Sequence, residues 1–259
     1  MLLAIDIGNT NIVIGLFQAS KLINHWRLSS TITRTADESW ILIKLLFESD
    51  NLSIDQVKGI AISSVVPNLT MVFKNMANTH FQIIPVEVNH ELDLGIRLLY
   101  DTPETVGADR ICNAIGGYSK YKGPLVIVDF GTATTFDVVT KTGDYLGGII
   151  APGIELTATV LHQRAAMLPK VGLKFPSKVI GRTTETSIQS GLMFGGVEMV
   201  DGLVDRIEEE LKQTVKVIAT GGLASQLLEQ SRRLKILEPH LTLEGLRLIY
   251  ERVSKATLS

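Results

Sequence analysis

The run Asp6-Ile7-Gly8-Asn9-Thr10-Asn11 gathers the residue types that handle a phosphate group. Gly8 lets backbone approach an anion, the backbone N–H groups and the Asn and Thr side chains can donate to phosphate oxygens, and Asp6 can hold Mg²⁺ directly or through water. Taken alone, the run reads equally well as the turn of an ordinary β-hairpin. It does not stand alone. Setting LAIDIGNTNIVIGLF (3 to 17) against VIVDFGTATTFDVVT (126 to 140) aligns Asp6 with Asp129 and Gly8 with Gly131. The second turn, Asp129-Phe130-Gly131-Thr132, is followed by Thr134 and Thr135 and offers another hydroxyl-lined anion site. Two such turns facing each other can grip one polyphosphate from both sides, which predicts a nucleotide triphosphate in a cleft between two similar halves.

Two further segments carry chemistry. Ala219-Thr220-Gly221-Gly222 ends an apolar run, and its glycine pair would let a base or ribose lie against backbone; a plain strand-to-helix turn is the alternative. Gly107-Ala108-Asp109-Arg110 sets a proton acceptor beside an anion binder at the head of a predicted helix. An acid in a helix's first turn with a surface ion pair is the commoner fate of such residues. The five histidines (25, 80, 90, 162 and 240) have no metal-ligand spacing. Trp26 and Trp40 lack a surrounding basic cluster and read as packing residues. Cys112, the single cysteine, has apolar neighbours and reads as a small buried hydrophobe.

The elements that must position these groups follow from periodicity. Residues 2 to 7 and 12 to 17 are strands of a hairpin, a third strand lies near 22 to 28, and Asp37 is the expected cap of a helix carrying Trp40, Ile41, Leu42, Leu45 and Leu46. Strands are expected at 57 to 62 and 82 to 88, a helix opening at Pro67, and another over 104 to 118 that Lys122-Gly123-Pro124 breaks. Gly116 and Gly117 lower helicity by roughly 1 kcal/mol each and predict that this helix ends early or bends. The second half repeats the plan: strands to 140, a strand at 146 to 150, a helix after Pro152, a long helix near 184 to 212, a strand at 215 to 219 and two final helices. The fold class is therefore α/β, with halves at 1–121 and 122–259, each a mixed sheet flanked by helices.

Bulk properties narrow the function. The chain has 259 residues, 45% of them hydrophobic, and a formal charge of −2 from 25 basic and 27 acidic residues, so no field collects nucleic acid or anionic membrane. No apolar run reaches the roughly 20 residues a bilayer requires, and Asp6 interrupts the start where a signal core would lie. A reducing, cytoplasmic setting is expected. The absence of G-x-G-x-x-G or a P-loop after the first strand disfavours a Rossmann nucleotide domain.

The order of phosphate turn, second phosphate turn and late Gly-Gly segment resembles the ATP site of the acetate and sugar kinase, chaperone and actin superfamily, whose fold is a pair of similar ribonuclease-H-like domains. Within it, Asp101-Thr102-Pro103-Glu104-Thr105-Val106-Gly107-Ala108-Asp109-Arg110 with Asn113-Ala114 resembles the D-P-x-x-x-G-x-D-R-x-x-N-A signature of type III pantothenate kinases. Gly147-Gly148-Ile149-Ile150-Ala151-Pro152-Gly153, Ala166-Met167-Leu168-Pro169, Gly181-Arg182-Thr183-Thr184 and Gln189-Ser190-Gly191 look like that family's later blocks in its order.

The resemblance implies that ATP and pantothenate give ADP and 4′-phosphopantothenate by direct in-line transfer. It assigns the base to Asp109, pantothenate contacts to Tyr100, Gly107, Ala108, Asp109, Arg110 and Thr184, and ATP contacts to Asp6, Ile7, Gly8, Asn9, Thr10, Asn11, Ile12, Val13 and Thr132. Asp129 would hold a monovalent cation, K⁺ or NH₄⁺, and Asp6 would stand near Mg²⁺. From its residues alone Thr184 could instead cap the long helix, and Tyr100 could be packing. A homodimer is implied, with the helix from Thr184 as candidate contact; no nucleic-acid or membrane partner is expected. A nucleotide-sensing protein without turnover, or a kinase or phosphatase for another small molecule or polyphosphate, stays open at this point.

Overall fold

The computed structural model describes residues 1–257. The chain opens with β1 (Leu2–Ile7), β2 (Asn11–Gln18) and β3 (Lys21–Ser29), then α1 (Ala36–Ser49), β4 (Gly59–Ser64), α2 (Pro67–Met76) and β5 (Val86–Glu87). A 3₁₀ turn (Pro103–Thr105) leads into α3 (Ala108–Tyr121). There follow β6 (Leu125–Phe130), β7 (Ala133–Val139), β8 (Tyr145–Pro152), α4 (Ile154–Arg164), α5 (Thr184–Leu211), β9 (Lys216–Gly221), α6 (Ala224–Leu228), β10 (Ile236–Leu237) and α7 (Leu241–Thr257). By packing, one compact unit is Met1–Gly116 with the described chain from Leu241 onward, and the other is Gly117–His240. The last helix thus joins the first unit, a point its sequence leaves open.

The first unit is built on a five-stranded sheet in the order β3-β2-β1-β4-β5, with β1 antiparallel to β2 and parallel to β4. Strand side chains alternate between faces. Leu3, Ile5 and Ile7 of β1 enter the apolar cluster that Ile43, Phe47, Leu69 and Phe73 of α1 and α2 complete. The opposite face carries Ala4 and Asp6 of β1 beside Gly59, Ala61 and Ser63 of β4. Those small residues admit α7 at close range: a Cβ on Gly59 would stand 2.0 Å from the Tyr250 hydroxyl, and one on Gly15 would stand 2.8 Å from Leu243 Cδ1.

Two local expectations change. The cap of α1 is Thr35 and not Asp37: the Thr35 hydroxyl accepts the Glu38 N–H at 3.2 Å while the Glu38 carboxylate accepts the Thr35 N–H at 2.7 Å. This reciprocal box satisfies two end donors, where Asp37 inside the first turn could only favour the dipole. The helix 108–121 also runs through its glycines without ending early. Their purpose is close packing, since a Cβ on Gly116 would lie 2.8 Å from the Leu241 carbonyl oxygen and one on Gly117 would lie 3.2 Å from Ile127 Cγ1.

The second unit repeats the plan in the order β10-β9-β6-β7-β8, with β6 antiparallel to β7 and parallel to β9. Residue by residue, the burial of β6 matches that of β1, and the burial of β7 matches the first seven residues of β2. Val126, Val128 and Phe130 face a core shared with α4, α5 and α6; Ile127 and Asp129 face the other way.

Packing of α7 generates a prediction. A Cβ on Gly245 would fall 1.9 Å from the Cys112 carbonyl oxygen of α3, a backbone group with no way to yield. Gly245→Ala should cost at least about 1–3 kcal/mol, read as a lower urea midpoint. An unchanged midpoint would mean that α3 and α7 do not meet at that point.

Candidate active site

The first turn leaves β1 at Ile7 and re-enters the sheet at Ile12, with Gly8 N–H bonded to the Asn11 carbonyl at 3.0 Å. Asn9 and Thr10 are exposed at its tip, Gly8, Asn11 and Val13 are half-buried, and Ile7 and Ile12 are anchored in the core. The loop after β3 braces it: Ser30 donates through Oγ to the Gly8 carbonyl at 2.5 Å and through N to the Thr10 carbonyl at 2.9 Å. Beyond Ser30, Arg34 has a buried Nη1 with no hydrogen-bond partner among the described residues, so a cationic donor with unused capacity stands on the bracing loop. Asp6, half-buried, receives a hydrogen bond on Oδ1 from the Ser63 hydroxyl of β4 at 2.9 Å. Ser30, Ser63 and Arg34 lie in no recognisable motif, and only the strand register brings the two serines to the turn.

The Gly107–Arg110 block forms the head of α3, with Ala108 as first residue. Asp109 Oδ1 accepts the Arg110 backbone N–H at 2.8 Å, so the carboxylate does serve the helix's first turn. Arg110 is not at the surface: it is buried at 7% exposure. Burial pushes the Asp109 carboxyl above the ordinary carboxylate range, and the Arg110 N–H and guanidinium bring it only part of the way back. Desolvation therefore outweighs both the partner and the helix N-terminus. A Cβ on Gly107 would sit 2.5 Å from Asp109 Oδ1, so glycine is what lets the carboxylate adopt this position.

The first unit brings Asp6 and Asp109 into one neighbourhood around Cys112. The Cys112 side chain is fully buried; burial pushes its thiol well up, and the carboxylates of Asp6 and Asp109 push in the same direction. This thiol is inert as a nucleophile, as the sequence suggests. Tyr100 is half-buried in irregular chain ahead of the block.

In the second unit the turn is one residue shorter, since Phe130 pairs with Thr134 where Ile7 pairs with Ile12. The two hydroxyls after it part company. Thr135 lies opposite Asp129 and shares its face, whereas Thr134 lies opposite Phe130 and enters the apolar core. Thr132 is exposed, and its carbonyl is fixed by the Gly153 N–H at 3.1 Å. The Gly-Gly segment after β9 meets the same turn: Gly221 has φ of +92°, and a Cβ there would stand 2.5 Å from Asp129 Oδ1. Thr183, with Thr186, forms the reciprocal cap of α5, so Thr184 beside it is exposed and is not the cap. Gln189 and Ser190 tie the 165–183 segment to α5 through the carbonyls of Gly172 and Val179.

Among the described residues no group of three or more His, Cys, Asp or Glu forms a metal cluster. What the turns provide are single carboxylates with backbone and hydroxyl oxygens nearby, a donor set suited to hard cations shared with phosphate oxygens.

Comparison with known proteins agrees with this arrangement. The profile of the family described as type III pantothenate kinase matches residues 2–206. A type III pantothenate kinase of Geobacter sulfurreducens is 48% identical over 252 residues, covering 97% of this chain and 99% of its own. Among solved structures, a conserved Baf family protein from Campylobacter jejuni superposes with a TM-score of 0.61 at 20% identity, covering 98% of this chain and 99% of its own. The activator of 2-hydroxyisocaproyl-CoA dehydratase from Clostridium difficile, solved with bound ADPNP, does so with a TM-score of 0.55 at 13% identity, covering 99% and 97%. The two mixed five-stranded sheets flanked by helices are thus the fold of the actin-like ATPases and sugar kinases.

Two outcomes are expected. Gly107→Ala should lower kcat through displacement of the Asp109 carboxylate while barely moving Tm; a fall in Tm without loss of kcat would contradict this placement. Asp109 has a raised carboxyl value in the folded chain, so it favours folding fully only below its ordinary value, about 3.9, and that contribution is lost as pH rises through the raised one. Asp109→Asn should therefore raise Tm at neutral pH, with the gain shrinking as pH falls into the ordinary carboxylate range. A gain independent of pH would refute the desolvation.

Proposed function

The chain belongs to the type III pantothenate kinase family, and from that premise we propose that it transfers the terminal phosphoryl group of ATP to the primary hydroxyl of pantothenate, with Asp109 as the base. The product is 4′-phosphopantothenate, the first committed step toward coenzyme A. The observation that carries this reading is the half-buried Asp109 carboxylate at the head of α3, made more basic by desolvation and set in one neighbourhood with Asp6 of the first turn.

Phosphoryl transfer asks little covalent chemistry of the protein and much positioning. We assign the N–H groups and side chains from Asp6 to Val13, together with Thr132, to ATP. Gly107, Ala108, Arg110, Tyr100 and Thr184 take pantothenate. Asp109 accepts the hydroxyl proton as the oxygen attacks. A raised carboxyl value suits this task, since a carboxylate that binds its proton more tightly is the better base once ionised. Mg²⁺ near Asp6 and K⁺ or NH₄⁺ near Asp129 would supply positive charge to the phosphates.

Exposed apolar residues support a homodimer formed through the second unit. Leu146 and Ile150 project from the edge strand β8, and Leu156 and Val160 from α4. We place the contact there in preference to α5. No described helix is long and apolar enough to cross a membrane. We assign the reaction to the cytoplasm, where a lone reduced thiol is ordinary.

A coupled assay of ADP release with ATP, Mg²⁺, K⁺ and pantothenate tests the reading. Release should require pantothenate and fall when Na⁺ replaces K⁺. Asp109→Asn should lower kcat about 10²–10⁴-fold, and Asp129→Asn should abolish the K⁺ response. ADP release indifferent to pantothenate would overturn the proposal. For the dimer, Ile150→Asp with Val160→Asp should give a monomer in sedimentation, and an unchanged particle mass would move the contact elsewhere.

A further inference from the structure

Residues 31 to 33 of the loop after β3 are exposed, Ile32 among them at 63%, and Thr35 is exposed as well. Arg34 reverses the usual order: the loop shows an isoleucine to solvent and draws its arginine inward, half-buried and with Nη1 fully enclosed. No group among the described residues accepts a hydrogen bond from that nitrogen. The acid four residues on, Glu38, is engaged elsewhere, since its carboxylate accepts the Thr35 N–H at 2.7 Å and the Thr35 hydroxyl at 3.1 Å. A guanidinium does not shed its proton, so an enclosed nitrogen without an acceptor costs stability. An anion bound beside it supplies the missing acceptor.

The bracing loop says which anion. Ser30 holds the first turn through the Gly8 and Thr10 carbonyls. The Arg34 N–H bonds back to the Thr31 carbonyl at 3.0 Å, and a loop closed in this way keeps the Cα atoms of Arg34 and Ser30 within roughly 11 Å of each other. Arg34 therefore stands on the flank of the phosphate turn. That turn shares its unit with Asp109, whereas the second turn meets the Gly221-Gly222 segment in the other unit. The phosphate beside the base is the one to be transferred. We propose that Arg34 is a binding residue for the terminal phosphate of the nucleotide, its enclosed Nη1 donating to an oxygen that carries charge through the transfer. A lysine would bring charge to the same place, but only arginine offers a planar fork to two phosphate oxygens. This inference rests on the assignment of the first turn to ATP.

Thermal unfolding and calorimetric titration of the full chain test it. Arg34→Met keeps most of the apolar stem and removes the charge with its unmet donor, so Tm without ligand should equal or exceed the parent's. A lower Tm, or a variant that does not fold, marks the guanidinium as a structural group and overturns the inference. Affinity for a non-hydrolysable ATP analogue with Mg²⁺ should fall about 10- to 100-fold in Arg34→Met, the worth of hydrogen bonds to a charged group. Affinity for ADP with Mg²⁺ should stay close to the parent's, KM for pantothenate should not move, and Arg34→Lys should restore part of the loss. Parent-like affinity of Arg34→Met for the analogue overturns the inference alone, as do equal losses for the analogue and ADP. A parent chain that binds neither nucleotide overturns the ATP reading, and this inference with it.

Discussion

Close approach of α7 to the small-residue face of the first sheet is the constraint on which the placement of α3, and with it of Asp109, depends. Gly15, Ala4, Gly59 and Ala61 lower that face, so Tyr250 and Leu243 of α7 come within contact distance, and α7 in turn holds α3 through Gly245 against the Cys112 carbonyl. The result is a buried neighbourhood in which Cys112 is fully enclosed and the carboxylates of Asp6 and Asp109 both push its thiol upward. Larger side chains on that face would lift the helices, readmit water and return Asp109 toward an ordinary carboxylate. Packing thus sets the proton affinity, and proton affinity sets what the residue can do.

Glycine does a different job at each motif. At Gly221 the left-handed φ of +92° and the closeness of Asp129 both exclude a side chain, so the Gly221-Gly222 segment is obliged to pass backbone-first over the second turn. At Gly107 only the second reason applies, and the atom made room for is the carboxylate oxygen of Asp109. At Gly116 and Gly117 the weak helix propensity is overridden by tertiary contact, which is why propensity alone predicts a break that the helix does not make.

Much of the fold is legible in the sequence, because it is written in local periods. The paired turns align with no structural help, and their flanking strands prove to have matching burial. The illegible parts are those that depend on register or on distant chain. Ser30 is 22 residues from Gly8 and Ser63 is 57 from Asp6, and nothing in their sequence neighbourhoods marks either as a partner of the turn. The division of Thr134 from Thr135 follows from a turn one residue shorter than its counterpart, which an ungapped alignment hides. The choice of Thr35 over Asp37 as a cap follows from the reciprocal bond with Glu38, and Thr183 displaces Thr184 from the same role for the same reason.

The central claim is that burial makes Asp109 a stronger base than an exposed aspartate and that its ionised form takes the proton from the substrate. The pH dependence of kcat/KM for pantothenate, measured at fixed saturating MgATP, tests it most directly. The account predicts an acid limb with an apparent pKa above the ordinary aspartate value of about 3.9, lost in Asp109→Asn. A profile whose acid limb falls at the ordinary value, or one that Asp109→Asn leaves in place, would contradict it.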